Sequence, residues 1–161
     1  EETRKRGTTC HVCGKPLTVG VLHRVEELAE NKEDIKPKQV ENKNGVMGYF
    51  HPSDKTRPPF VMIVPLQEIV AEAMGKGVAT KGVQEMYERL MAEVGNEFEV
   101  LLKKDLKEIE KVGGKKITEG IEKVRKGDVF VDPGYDGVFG VVKIWGEKEK
   151  VSKSVDQQSL F

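Results

Sequence analysis

The chain has 161 residues, in which 27 lysines and arginines are balanced by 27 aspartates and glutamates. That length holds one compact domain or two small modules, and the balance excludes a global field that would draw in a polyanion, so any attraction must be local. No apolar run approaches the roughly 20 residues that cross a bilayer, which excludes a helical membrane protein and makes a cytosolic location the expectation. The presence of only 2 cysteines excludes a disulfide scaffold, and an opening on Glu1 rather than Met makes a fragment or processed product the expectation.

The cysteines stand in Cys10-His11-Val12-Cys13-Gly14-Lys15-Pro16. A thioredoxin-like redox pair sits at a helix N-terminus, which Gly14 and Pro16 oppose. The same residues fit a zinc knuckle, where the glycine lets backbone amides face the thiolates. A structural zinc takes four ligands and a knuckle provides two. His11, His23 and His51 lack ordinary ligand spacing to the pair, so two readings stay open: half of a zinc ribbon whose other pair lies upstream of Glu1, or a thiol pair without metal. Residues 1–30 are read as this zinc-knuckle remnant and a helix carrying Val21, Leu22, Val25, Leu28 and Ala29 at helical spacing.

Residues 31–60 are read as a polar, mobile loop to Gly48 and then a proline-rich linker, because His51-Pro52 and Arg57-Pro58-Pro59-Phe60 impose extended backbone. Phe60 to Val64 fits either a strand or a buried lead-in to a helix.

Residues 61–127 are read as a tandem repeat of helix, glycine turn and helix. Pro65 suits a helix start, with an end near Met74-Gly75. A second helix is expected from Lys81 to Val94, with Val83, Met86, Tyr87, Leu90 and Met91 on one face, stopped by Gly95-Asn96. Phe98, Val100, Leu101 and Leu102 are expected to pack between the repeats. Asp105 is a natural cap for a helix to Val112, and a last helix covers Lys115 to Arg125. Residues 128–146 alternate around Asp132-Pro133-Gly134-Tyr135-Asp136-Gly137, which predicts a β-hairpin with Phe139 and Trp145 in the core. Residues 147–161 are read as a flexible tail. The expected fold class is therefore α+β, mainly α.

The two glycine turns carry the chemistry. In a helix-hairpin-helix, glycines bring turn amides close to a phosphate oxygen and the following helix N-terminus adds partial positive charge. In the first copy Lys76, Gly77, Val78, Ala79, Thr80 and Lys81 fill that role, with alanine at one glycine position. In the second, Gly113, Gly114, Lys115 and Lys116 do so, with only the later glycine kept. The plain alternative is that helices need glycine stops and that lysines solubilise helix ends. Lys103, Lys104, Lys123, Arg125 and Lys126 are expected to extend a basic stripe around the turns. No catalytic constellation is visible: His23 has no implied partner, His51 reads as a loop residue, and Asp132, Tyr135 and Asp136 suit turn chemistry alone.

Cys10 to Ala29, Arg57-Pro58-Pro59-Phe60, Val64-Pro65-Leu66-Gln67-Glu68-Ile69, Gly95-Asn96-Glu97-Phe98 and Asp132 to Gly140 together resemble the second knuckle and the following region of archaeal endonuclease Q. The resemblance spans nearly the whole chain apart from its ends. It implies a DNA-repair endonuclease that nicks 5′ to deoxyuridine, deoxyinosine and abasic sites, with magnesium or manganese held in an N-terminal PHP domain and a zinc domain of two cysteine pairs. The PHP domain and the first cysteine pair are missing here, so the resemblance implies the substrate-engaging part of the enzyme, with an incomplete zinc site and no hydrolysis by this chain alone. Gln157, Leu160 and Phe161 are similar to the start of a sliding-clamp (PCNA) motif; an arbitrary polar tail is the other reading. The alternative function is a non-catalytic interaction or scaffold module tethered to the clamp. A complete small enzyme using His51 and neighbouring acids is a further alternative, disfavoured by the lack of an oriented second group.

Overall fold

Residues 5–29, 35–134 and 138–146 are described by the computed structural model, and five helices and two small antiparallel sheets lie among them. The chain is thus mixed α and β. Helix α1, Val21–Leu28, leaves Val21, Val25 and Leu28 exposed. Three antiparallel strands follow: β1, Lys38–Glu41, β2, Met47–Phe50, and β3, Phe60–Val61, in that order across the sheet.

The first two of these strands correct the expected loop through Gly48. All four β1 residues are exposed, so burial imposes no apolar alternation for a pattern search to find. The turn is held instead by Asn42, whose side-chain oxygen accepts the Asn44 and Val46 amides at 2.9 and 3.0 Å, with Gly45 at φ 76°. An asparagine closing its own turn is short-range chemistry that needs no core.

The four later helices are placed by their ends. Helix α2, Leu66–Met74, starts after Pro65, and its first amide, that of Leu66, donates to the Glu97 carboxylate at 2.7 Å. The other oxygen of Glu97 accepts the Tyr87 hydroxyl at 3.2 Å. Gly75 ends α2 in the left-handed region, at φ 62° and ψ 35°. Helix α3, Lys81–Glu93, leads to Asn96, which opens α4, Glu97–Leu102, through a reciprocal cap with Glu99. Asp105 caps α5, Leu106–Lys126, by accepting the Lys107 amide at 2.7 Å. Inside α5 the backbone breaks at Gly114, where φ is 78° and ψ is 170°.

Leu66, Ile69, Val83, Leu90, Val100, Ile109 and Ile121 are completely buried between these helices, each contributing about 1.5–3 kcal/mol by removal from water. Met86, Tyr87 and Met91 flank them as the α3 periodicity predicts. Phe98 departs from expectation at 62% exposed, while Val100 and Leu101 pack inward.

Strands β4, Phe130–Asp132, and β5, Val141–Lys143, pair antiparallel with Phe130 opposite Lys143. Residues 135–137 of the predicted turn lie outside the described residues. Phe139 corrects another expectation, since it is 97% exposed rather than in the core; Trp145 does pack against the core. Both oxygens of Glu72 meet the segment after β5, accepting the Ile144 amide at 3.0 Å and the Trp145 amide at 2.9 Å.

Arg125 corrects the expected basic stripe. It is 4% exposed, and its guanidinium donates to the carbonyls of Leu101 at 2.8 Å, Val100 at 2.9 Å, Lys104 at 2.7 Å and Asn44 at 3.1 Å. Four backbone groups from the end of α4 and the β1–β2 turn are held by one cation. Burial pulls its pKa below the usual value, and the charges of Asp105 and Glu122 oppose that.

Gly120 marks a tight approach in the helical layer. A Cβ there would lie 2.7 Å from the Trp145 ring and 2.9 Å from Ile69 Cγ2. Replacing Gly120 with alanine is therefore expected to destabilise the fold by about 1–3 kcal/mol through overpacking, read as a lowered thermal midpoint; an unchanged midpoint would show that the ring and Ile69 yield freely.

Candidate nucleic-acid interface

The first turn joins α2 to α3 and is exposed from Gly75 to Thr80. The Gly75 and Lys76 amides close it onto α2, donating to Glu72 and Ala71 carbonyls at 3.1 and 3.0 Å. Thr80 closes it onto α3: its amide and hydroxyl both donate to the Gly77 carbonyl, at 3.0 and 2.8 Å, and its own carbonyl accepts the Val83 and Gln84 amides. The amides of Gly77, Val78, Ala79, Lys81 and Gly82 then donate to no group among the described residues. Lys81 and Gly82 open α3, a helix of 13 residues whose dipole adds positive potential there, and Gly77 to Ala79 lie in the turn just before its cap Thr80.

Two lysines flank these amides. Lys76 Nζ lies 3.3 Å from where a Gly82 Cβ would stand, so its ammonium rests over the first turn of α3 and depends on the missing side chain. Lys81 is 89% exposed and 3.6 Å from Glu85, an exposed contact of the kind that holds a cation weakly. Gln67 secures the turn from α2, donating to the Val78 carbonyl at 3.4 Å and the Gln84 side chain at 2.9 Å.

The second turn is narrower than the expected step from Gly113 to Lys116. Lys111 and Val112 remain helical, and the departure is confined to Gly114. Gly113 fits tightly, since a Cβ there would stand 3.3 Å from both Ile117 and Leu90 methyls. Thr118 Oγ1 donates to the Gly114 carbonyl at 3.0 Å and fixes the restart of the helix. Gly114, Lys115 and Lys116 are exposed. Lys116 Nζ sits 5.4 Å from the centre of the Trp145 ring, whose Nε1 donates to Glu119 at 2.9 Å. Lys115 has no ion pair among the described residues.

Gly114 holds a backbone conformation that only glycine adopts readily, and a Cβ there would meet nothing within 4 Å. Gly114→Ala is expected to cost about 1–3 kcal/mol from backbone strain alone. A urea titration of the two proteins would check this, and equal midpoints would mean that α5 straightens at no cost.

At the N-terminal end, the Cys10 amide donates to the Lys15 carbonyl at 2.8 Å and the Gly14 amide to the Cys10 carbonyl at 2.9 Å, with Gly14 at φ 68°. The backbone amides of Cys13 and Val12 pull the Cys10 thiol below its ordinary pKa, which suits a thiolate. Among the described residues no group of three or more His, Cys, Asp and Glu side chains gathers to hold a metal ion. His51 Nδ1 accepts the Asp54 amide at 2.8 Å and the Ser53 amide at 3.4 Å, so that nitrogen serves the loop rather than a base role. Gln157, Leu160 and Phe161 lie outside the described residues. No described helix is long and apolar enough to cross a membrane.

Two basic residues that the sequence reading did not single out, Lys43 and Lys107, lie elsewhere, beside Lys103 of the expected stripe. Lys43, Lys103 and Lys107 line a cleft of about 510 Å³ between the β1–β2 turn and the α4–α5 junction, with Glu41, Asp105 and Glu122 among them. The Asn-rich turn was the available signal, and the acids leave this cleft mixed in sign.

Residues 65–128 match the family described as the MJ0043 C-terminal domain. The chain is 34% identical over 148 residues to the uncharacterized protein MJ0043 of Methanocaldococcus jannaschii, covering 92% of the chain and 16% of that protein. It superposes on the crystal structure of the lesion-specific endonuclease PfuEndoQ from Pyrococcus furiosus with a TM-score of 0.62 and 28% identity, covering 93% of the chain and 33% of the nuclease. A crystal structure of endonuclease Q in complex with a 27-mer duplex substrate, with an abasic lesion at the active site, gives a TM-score of 0.61 and 28% identity over 94% of the chain and 34% of that structure's. The chain is thus similar to a segment of endonuclease Q and spans about a third of the solved nucleases.

Proposed function

We propose that the chain is the DNA-engaging portion of an endonuclease Q-like repair enzyme and grips duplex backbone through two lysine-flanked turns acting as a tandem helix-hairpin-helix. The observation that carries this reading is the group of five amides, without acceptors among the described residues, at and just before the start of α3 beside Lys76 and Lys81. Amides without acceptors at a helix N-terminus favour a phosphate, and the flanking ammonium groups neutralise it. The exposed Gly114-Lys115-Lys116 step provides the second grip. Likeness to a nuclease crystallised on a duplex supports DNA as the partner.

Under this reading hydrolysis 5′ to deaminated bases and abasic sites belongs to a PHP domain with its own magnesium or manganese, and this chain alone does not nick. Cys10 and Cys13 supply half of a structural zinc site whose remaining ligands lie in another part of the protein. The tail residues Gln157, Leu160 and Phe161 are the place to look for a sliding-clamp contact.

The test is binding of the chain to a lesion-free, fully paired duplex across a salt series. Affinity should fall linearly on a logarithmic plot, as counterion release requires. Salt-independent binding, or none at 50 mM salt, would return the turns to ordinary helix stops and favour a protein-interaction module.

A further inference from the structure

Beside the three-stranded sheet is a cleft of about 630 Å³ that the two turns do not use, and at its edge stands a ring stack. Tyr49 and Phe60 are direct partners across β2 and β3, with centroids 5.2 Å apart and planes inclined by 12°. Tyr49 is buried at 9% exposure, which fixes the inner ring. Phe60 is 54% exposed and leaves the outer ring available to another flat group. Pro37, Pro52 and Pro58 line the cleft together with Phe50, His51 and Arg57. Prolines have little conformational freedom to lose, so the cleft is formed before anything enters it.

Its polar groups are one-sided. Because His51 Nδ1 accepts two amides, the neutral imidazole carries its proton on Nε2 and offers a donor. Arg57 is 61% exposed and touches Asp54 through Nε, leaving its other nitrogens as donors. Among the described residues no carboxylate lines the cleft. Flat apolar surface, donors and positive charge complement a heteroaromatic ring with acceptor edges followed by a phosphate.

From this we infer that the Phe60 cleft receives an unpaired nucleobase, stacked on the Phe60 ring with Arg57 against the adjoining phosphate. The inference deepens the DNA-binding reading and rests on it for the duplex. Stacking on an aromatic side chain is the usual means by which proteins hold single-stranded bases without reading their sequence.

The experiment compares two labelled duplexes of one sequence, one fully paired and one with an unpaired 2-aminopurine in a bulge. The chain should bind the bulged duplex about 5- to 100-fold more tightly and quench the 2-aminopurine emission. Phe60→Ala should abolish that preference and the quenching while leaving paired-duplex affinity unchanged, and Phe60→Tyr, which keeps a ring, should retain both. Arg57→Gln should weaken bulged-duplex binding selectively. Thermal melts of each variant check folding, and Phe60→Leu supplies an apolar variant should alanine fail to fold. Equal binding of both duplexes, or a preference that survives Phe60→Ala or Phe60→Leu, overturns the inference and leaves the backbone grip standing. Loss of paired-duplex binding with Phe60-dependent quenching on single-stranded DNA would overturn the grip and keep the cleft. Capture of a polyproline peptide with no quenching by DNA would assign the cleft to protein.

Discussion

Arg125→Leu should lower stability by about 3 kcal/mol or more. Hydrogen bonds to a charged group contribute roughly 1.5–3 kcal/mol, and each buried carbonyl left without a donor costs about 1–3 kcal/mol. The four carbonyls of Val100, Leu101, Lys104 and Asn44 all depend on this guanidinium, so the loss is shared among groups that leucine cannot serve. For a chain of this size the thermal midpoint should drop by about 6–12 °C, as followed by far-ultraviolet circular dichroism. Lysine should rescue little, because a single ammonium offers three donors from one point whereas the guanidinium offers a planar fork. If the leucine protein melts with the wild type, the carbonyls find water and the arginine is ornamental to the fold.

Charge reversal at Lys76, Lys81 and Lys115 together is expected to weaken duplex binding about 100-fold at low salt. Each lysine that neutralises one phosphate adds about one to the logarithmic salt slope, so the triple variant should also lose about three from that slope. Lys116 is left in place because it already lies over Trp145. Lys38, exposed on β1, serves as the control, and its reversal should leave the slope alone. Anisotropy titrations at several salt concentrations would give both numbers. A triple variant with wild-type affinity and slope would remove the turns from the interface altogether.

Much of the helical layer was readable because its boundaries are local chemistry. Pro65, Gly75, Asn96 and Asp105 each stop or start a helix through their own backbone or side chain, and the stripe on α3 needs only a period. The first sheet was not readable, since β1 is exposed along its whole length and β3 has two residues. Arg125 was missed for a different reason: among Lys123, Lys126 and the glutamates nearby, nothing in composition separates a buried cation from a solvated one. The exposure of Phe98 and Phe139 shows the reverse error, in which aromatic character alone was read as burial. At the candidate interface, the turn lysines and glycines were legible from their motif. The placement of Lys76 over Gly82, the engagement of Lys116 by Trp145 and the restriction of the second turn to one residue required coordinates.

Trp145 is the chain's 1 tryptophan, held by its amide to Glu72, by its indole to Glu119 and under Lys116. A polyanion arriving at Gly114 competes for that lysine and withdraws a positive charge from the face of the indole. Intrinsic emission therefore acts as a built-in reporter of this one locus, and occupancy there can be followed without attaching a dye.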